Sequence, residues 1–366
     1  MKVAIVTELF PPSIGGQELR LAEISQELVH RGHSVHVFCI LTTPGTRREE
    51  VVDNVTVSRH PEAHKYRQPS IAWLRRKPSV VLKYALWCRR IDPDAFDLFI
   101  FNQWPLAHIC LAPASIRKKS VIDWCEFRQG ALFNIIQATF PGLVSGNIAN
   151  SLTLKSQLEK LSGCHVECIP SGIYVSRYRS VPSAQRSGIL SLGRIEEHKN
   201  LRLVLSSYES LVAKGYSGRL RIAGTGPAFA DLQRLSKTCG CADRVDIMSF
   251  ISDKEKVELL ASSELLLITS RREGFPRVIA EGMASGLPVV TADYPGNGAK
   301  DIVRQYGIGR VAVPTPEKIA EESLAVISQW QLYSNACLAS SESLDWKVVV
   351  DRLLLTAASL NRGYRA

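Results

Sequence analysis

Short β-branched runs alternate with helix-period segments almost from end to end of this 366-residue chain, and that alternation admits few folds. A parallel neighbour strand is reached only by a crossover, so strand and helix in strict succession build parallel sheets covered by helices. In the first half the strand runs are KVAIVT (2–7), SVHVFCI (34–40), DLFIF (97–101), KSVIDW (119–124) and NIAN (147–150). They show little polar alternation, as strands covered on both faces do. Between the first two, QELRLAEISQELVHRG reads as a helix whose apolar face is Leu19, Ala22, Leu28 and Val29, with Gly32 as its stop. A second series, ILSLG, LRIAG, RVDIMSF, ELLLIT and LPVVTA, follows a stretch rich in Pro, Ser and Gly at 171–188, which reads as a linker. The expectation is α/β, with two doubly wound parallel-sheet domains at 1–175 and 176–345 and a last amphipathic helix within 346–366. Ligands of such sheets bind beyond the carboxyl ends of the strands, so both domains would offer loops to one cleft.

Composition narrows the class. Hydrophobic residues at 45% and charged residues at 22% exclude a disordered or fibrous chain. No apolar run reaches the roughly 18 residues that span a bilayer. MKVAIVTELFPPS is interrupted by Glu8 and reads as a first strand rather than a leader, so the expected location is cytoplasmic. Nine cysteines without export features read as reduced thiols. Their tightest groups are Cys164, His165 and Cys168, and the pair Cys239 and Cys241; neither has the C-x2-C spacing of a structural zinc site, and no metal is expected.

The formal charge is +10 and unevenly spread. Between Arg59 and Arg90 stand nine basic residues (Arg59, Lys65, Arg67, Arg75, Arg76, Lys77, Lys83, Arg89, Arg90) against one acid, Glu62, interleaved with Tyr66, Trp73, Tyr84 and Trp87. Such a mixture suits an anionic membrane surface, where each cation contributes on the order of 1 kcal/mol, and equally a solvated face. No RNP, KH or zinc-finger pattern accompanies the charge, so nucleic acid is not an expected partner.

Four motifs carry chemistry. Gly15 and Gly16 stand between the first strand and the first helix, where backbone amides approach an anion at a helix N-terminus. They lack the G-x-G-x-x-G pattern, and a plain turn is the alternative. Arg194 and Lys199 in LGRIEEHKN follow a strand end; two cations there neutralise a diphosphate without a metal, or are simply surface cations. Gly224, in IAGTGP, marks a place where backbone approaches a ligand or a neighbouring loop. In SRREGFPRVIAEGMASGLPVV, a strand leads into a loop bearing Glu273, and Pro276 opens a helix on which Glu281 lies off the apolar stripe. Both carboxylates then face the cleft, where a carboxylate can accept two hydrogen bonds in one plane from vicinal sugar hydroxyls. The amides of Gly274, Phe275 and Arg277 are offered to phosphate or hydroxyl oxygens.

EGFPRVIAEGMASGLPVV resembles the E-x7-E signature of the retaining nucleotide-sugar glycosyltransferases with the GT-B fold, the family 4-like group 1 enzymes. The resemblance runs nearly the whole length: FPPSIGGQELRLAEISQELVHRGHSVHVF is similar to the family's Gly-Gly loop and first helix, IPSGI to its interdomain approach, SLGRIEEHKN to its phosphate-binding loop and LRIAGTGP to its next loop. It implies two Rossmann-like domains, the first binding acceptor and the second the nucleoside diphosphate sugar, and a last helix crossing back to the first. It also implies that Glu281 holds the donor ribose, Glu273 the transferred sugar, and Arg194 and Lys199 the diphosphate, with Gly16 closing on it. Phe250 and Ile251 would lie against the base, and Gly274, Phe275 and Pro276 would belong to the donor-binding site.

No metal cofactor is implied; the single Asp-x-Asp, Asp92 to Asp94, reads as a turn. Many relatives place a histidine at the end of the strand that corresponds to SVIDW. Here Asp123, Cys125 and Glu126 stand instead, and Glu126 or Asp123 would orient the sugar or receive the acceptor proton. The expected activity is transfer of a hexose or N-acetylhexosamine to a hydroxyl of a glycan or lipid-linked glycan, with peripheral contact to the inner face of a membrane through residues 59–90. A nucleotide-sugar epimerase of the same fold and a non-catalytic polyanion-binding or membrane-binding protein are the alternatives; UDP-, GDP- and dTDP-sugars all remain open as donors.

Overall fold

The computed structural model describes residues 1–13, 15–64, 66 and 76–362, the last four of these by their backbone. The chain forms two compact units, Met1–Ser171 with Trp346–Ala366, and Gly172–Asp345.

The first unit carries an eight-stranded sheet: β1 (Lys2–Val6), β2 (Ser34–Leu41), β3 (Glu49–Val52), β4 (Val55–Glu62), β5 (Leu98–Asn102), β6 (Ser120–Trp124), β7 (Gly146–Ala149) and β8 (Glu167–Cys168). Their spatial order is β3-β4-β2-β1-β5-β6-β7-β8, and every pairing is parallel except β3 with β4. The central strands β1 and β5 are buried throughout except Lys2, which fits their unbroken apolar sequence. The antiparallel exception is a hairpin closed by Asp53 and Asn54, both at positive φ (50° and 63°), the geometry that lets a two-residue turn follow the strand twist.

The helix Gly16–His30 departs from its expected face. Leu21, Ile24 and Leu28 point into the core, whereas Leu19 is 45% exposed. The buried stripe is wider because the helix is covered twice, by the sheet and by the final helix Trp346–Arg362. Polar residues therefore fall inside and find partners: the Trp346 indole donates to Glu23 at 3.0 Å, and Arg31 holds Asp351 at 2.5 Å. Gly32, at φ 78°, ends the helix as its sequence suggests. Asp92 accepts from the Asp94 amide at 3.0 Å in the turn Pro93–Ala95, just before β5.

The second unit has a six-stranded, wholly parallel sheet of β9 (Ile189–Leu192), β10 (Leu220–Ala223), β11 (Val245–Met248), β12 (Leu265–Ile268), β14 (Val289–Ala292) and β16 (Gly309–Ala312). A separate short pair joins β13 (Arg272–Glu273) to β15 (Gly296–Asn297). The order β11-β10-β9-β12-β14-β16 winds outward in both directions from the β9/β12 pair, which fixes a topological switch point at their carboxyl ends.

The stretch 171–188 is not a free linker. Ile173 is fully buried and its amide bonds the Leu344 carbonyl at 2.9 Å, so the unit boundary falls at Ser171/Gly172. Arg186, only 5% exposed, reaches the carbonyls of Leu260, Ser263 and Ser285. Burial holds its guanidinium down at about 10.

Candidate functional site

At the switch point, the loop leaving β9 is sutured to its neighbours by backbone. The Gly193 amide bonds Ala223 O at 3.0 Å and the Ile195 amide bonds Thr225 O at 2.8 Å. A Cβ on Gly224, which sits at φ 151°, would come within 1.8 Å of Gly193 O. Of its two sequence readings the approach to a neighbouring loop is observed: glycine is required so that two strand-end loops can touch.

The same β9 loop delivers Lys199. Thr269, at the end of β12, donates its hydroxyl to the carbonyls of Lys199 (3.1 Å) and Asn200 (3.0 Å), and the Arg271 amide bonds His198 O at 2.8 Å. So fastened, the Lys199 ammonium meets Glu273 Oε1, which also accepts from the Ser270 hydroxyl at 2.8 Å. The Glu273 side chain is 12% exposed and that of Lys199 23%. Glu273 is held from behind as well. The Gly298 amide bonds its carbonyl at 2.9 Å, and Asn297, fully buried, ties that support loop to Thr291 Oγ1 and Ala292 O at 2.9 and 2.8 Å. A Cβ on Gly298 would strike Gly274 O at 2.2 Å.

Pro276 is the N-cap of the helix Arg277–Ala284, and Phe275 packs against the core beneath it. Glu281, one turn from the end of this helix, is 6% exposed and accepts from Lys256 at 3.1 Å. Lys256 belongs to the helix Asp253–Ser262, whose start is fixed by a reciprocal capping box of Ser252 and Glu255. Each predicted carboxylate thus carries one lysine. Arg194 stands apart: its side chain is 70% exposed and pairs with Glu196 at 2.5 Å. His198 faces Glu196 at 3.1 Å, and burial together with Lys199 holds its imidazole below the usual value. Phe250 is 81% exposed after β11 and Ile251 half-buried. A cavity of about 510 Å³ beside the β9 loop is lined by Glu196, Asn200, Arg202, Pro227, Asp231 and Arg271, and includes none of Glu273, Glu281, Lys199 or Arg194.

In the first unit the predicted residues also lie at carboxyl ends of strands, with different fates. Asp123, at the end of β5's neighbour β6, has no exposure, and Arg20 binds both its oxygens at 2.9 and 3.3 Å. Arg20 is equally buried and reaches on to Ile169 O and Pro170 O. The expectation that Asp123 could receive a proton from an acceptor is therefore corrected: its lone pairs are spent on an interior ion pair that joins the first helix to the sheet. Glu126 remains accessible, its side chain 33% exposed, with Arg128 donating at 2.9 and 2.6 Å. Gln103 fixes this loop, accepting from the Cys125 and Glu126 amides at 3.1 Å each and donating to Glu126 O at 3.0 Å.

Gly16 opens the first helix with nothing within 4 Å of where a Cβ would be. Gly15 has extended backbone (φ 176°), and a Cβ there would meet the Glu18 carboxylate at 2.2 Å. A second acid, Glu8, was not singled out by sequence. It is 4% exposed and receives Arg76 at 2.5 and 2.6 Å and the Tyr66 hydroxyl at 2.9 Å. Arg76 and Arg128 in turn each stack on Trp104, 4.6 and 4.5 Å from its ring centre.

This corrects the basic segment. Arg59 is 4% exposed and pairs with Glu50 at 2.6 Å, while Tyr66 and Tyr84 are interior. Lys83, Arg89 and Arg90 stay exposed beside Leu82 and Leu86, 52% and 44% exposed on the helix Pro78–Cys88. Lys65, Arg67, Trp73 and Arg75 lie outside the described residues. Among the described residues no helix is long and apolar enough to cross a membrane.

Residues 14–177 match the family Glycosyltransferase Family 4, and residues 179–337 match Glycosyl transferases group 1, the division of the two units to within a few residues. The structure of the Anabaena protein HepE in complex with UDP superposes with a TM-score of 0.72 over 98% of this chain and 100% of that one, at 19% identity. The chain is a GT-B glycosyltransferase. Alpha-D-kanosaminyltransferase of Streptomyces kanamyceticus is 33% identical to the enzyme over 131 residues, which is 35% of this chain and 33% of that protein. Phosphatidyl-myo-inositol mannosyltransferase of Mycobacterium leprae is 23% identical over 93% of the enzyme and 92% of its own length. The glycosyltransferase thus spans a third of one such relative and nearly the whole of another.

Proposed function

We propose that the enzyme transfers a hexose or N-acetylhexosamine from a nucleoside diphosphate sugar to a hydroxyl of a glycan or glycolipid acceptor, with retention of configuration and without a bound metal. The observation that carries this is the Lys199–Glu273 contact at the β9/β12 switch point, with Glu281 paired to Lys256 eight residues further along the chain. A dianionic diphosphate is attracted to Lys199 and to exposed Arg194, while Glu273 turns to sugar hydroxyls and Glu281 to the ribose. Retention follows if the acceptor oxygen bonds to the anomeric carbon on the face from which the phosphate oxygen leaves. The acceptor proton passes to that phosphate oxygen, so one C–O bond forms as another breaks. Lys199 and Arg194 offset the charge that develops on the diphosphate. Glu126 then orients the acceptor or sugar. The exposed Leu82, Lys83, Leu86, Arg89 and Arg90 favour a lipid-linked acceptor and peripheral contact with an anionic bilayer.

The test is release of nucleoside diphosphate from a panel of UDP-, GDP- and dTDP-sugars, with and without a lipid-linked or soluble acceptor, followed by assignment of the anomeric configuration of the product. Acceptor-dependent release with a retained anomer is expected, unchanged by a chelator. Turnover of the donor without acceptor to a C2 epimer, or an inverted product, sinks the proposal. UDP has one supporting observation, its presence in the HepE complex. Flotation with anionic liposomes at low salt tests the membrane part separately.

A further inference from the structure

In the sequence, Cys239-Gly240-Cys241 is a pair of thiols without a zinc-type spacing. The fold brings a third group to it. The two cysteines lie in the turn between the helix Phe229–Thr238 and β11, and Glu209 projects from the helix Leu201–Ala213, so that the three ligand atoms lie within 4.8 Å of one another. The sulfurs are 3.9 Å apart. Two Zn–S bonds of about 2.3 Å at the tetrahedral angle hold their sulfurs about 3.8 Å apart, whereas a disulfide needs about 2.05 Å. The observed separation, which two unbonded thiols also adopt, fits two ligands to one ion and is too long for a disulfide. Glu209 is already aimed, because the Gly240 amide donates to its Oε1 at 2.7 Å and leaves its other oxygen for a second partner. Cys241 is 4% exposed and Cys239 half-buried, which shields one side of the cluster and leaves an approach from the other.

We infer that Glu209, Cys239 and Cys241 form a three-ligand site for a thiophilic divalent cation of the zinc type, with water as the fourth ligand. Binding replaces two S–H protons by two metal–sulfur bonds and releases both protons to solvent; no electron moves. The site is remote in sequence from Glu273 and Glu281 and takes no part in transfer. Its effect is to cross-link two helices and the entry to β11, the edge strand of the second sheet, because the ligands come from elements far apart along the chain.

Full-length, reduced and metal-stripped protein is titrated with Co²⁺ and with Cd²⁺. One ion per chain is expected, with the visible bands of tetrahedral thiolate-bound cobalt, a sulfur-to-cadmium charge-transfer band and a rise in Tm. Cys239→Ser with Cys241→Ser should lose both sets of bands and the rise in Tm. Glu209→Gln should keep the sulfur band and need more metal for half-saturation. Cys164→Ser with Cys168→Ser, which alters the other close cysteine pair, should behave as the unaltered chain. If the double variant fails to fold, Cys239→Ser alone, at the half-buried position, gives the same readout. Bands that survive the loss of Cys239, no saturable binding, or a Cys239–Cys241 disulfide found in the purified protein by mass spectrometry would each overturn the inference.

Discussion

Lys199→Ala separates the catalytic role proposed for the switch-point pair from its structural one. In the folded chain the substitution leaves Glu273, 12% exposed, with the Ser270 hydroxyl at 2.8 Å and no cation. A hydrogen bond to a charged group contributes about 1.5–3 kcal/mol, and water reaches a lysine that is 23% exposed, so the lower half of that range applies and the stability loss should be about 1.5–2 kcal/mol. For a unit of this size that is a fall in Tm of roughly 3–8 °C. The effect on transfer should be larger. Loss of one preorganised group that stabilises developing charge costs about 10²–10³ in kcat, whereas donor KM should change by less, since ground-state binding keeps Glu281 and Arg194. The assay is nucleoside diphosphate release at a temperature well below the lowered Tm. A second substitution, Glu273→Gln, closes a double-mutant cycle: if Lys199 acts only by holding Glu273, the double variant is no slower than Glu273→Gln alone. A Lys199→Ala enzyme with unchanged kcat and a depressed Tm would show the pair to be structural and refute the diphosphate role.

Other outcomes follow from the same geometry. Asp123→Ala should cost about 3–5 kcal/mol by orphaning buried Arg20, whereas Glu126→Gln should keep its Tm and lose about 10² in kcat; denaturant melts and initial rates distinguish the two, and the reverse pattern would return Asp123 to the chemistry. Gly224→Ala should lower stability by more than about 4 kcal/mol, because a Cβ 1.8 Å from Gly193 O cannot be accommodated without parting the two loops; a mild effect by thermal melting would refute that closeness. Burial between the rings of Tyr84 and Phe101 holds His108 down at about 3. Between that value and the roughly 6.5 of an unfolded histidine only the unfolded chain takes the proton, so stability falls as pH drops through this window and is unaffected above it. His108→Phe should lessen the fall in stability between about pH 6.5 and pH 5, above the carboxylate range, as read by urea midpoints, and the remaining fall belongs to the other histidines held low, His33, His36, His60 and His198.

The parallel sheets were legible because their strands are apolar runs whose register follows from burial on both faces. The β3–β4 hairpin was not, although Asp53-Asn54 between valines signals it; β3 (EEVV) is a largely exposed edge strand, where burial enforces little pattern, and β4 buries Ser58 and Arg59 among its valines. The face of the first helix was misjudged for a related reason. A helix covered on two sides buries Arg20, Glu23 and Glu27 with its leucines, and period alone cannot separate a paired buried charge from a solvated one. The same blindness made Asp123 look available and let Glu8 pass unnoticed. Lys256, Ser270 and Asn297, which hold Glu281 and Glu273, are far from them in sequence or lie in loops, so only the fold reveals them. By contrast, Glu273 and Lys199 were recognisable by type and position at adjacent strand ends, and the fold brings them into contact.

That contact bears on why carboxylates should stand where, in the proposed reaction, a diphosphate binds. Two acids without cations would repel an anionic ligand. Paired, Glu273 with Lys199 and Glu281 with Lys256, each carboxylate is offset by one lysine and each charge is kept oriented. On the proposed reaction, an arriving diphosphate takes Lys199 from Glu273, and the carboxylate so released is offered to sugar hydroxyls, which are better partners for it than a phosphate. Binding of the two halves of the donor is thereby coupled: phosphate frees the group that sugar needs. It follows that a nucleoside diphosphate lacking the sugar should gain less from Lys199 than the intact donor does, because it leaves Glu273 uncompensated. Calorimetric titration of the unaltered enzyme and of Glu273→Gln measures this directly. In the variant, affinity for the free diphosphate should rise while affinity for the intact donor falls; parallel changes in both would show that the exchange of partners does not occur.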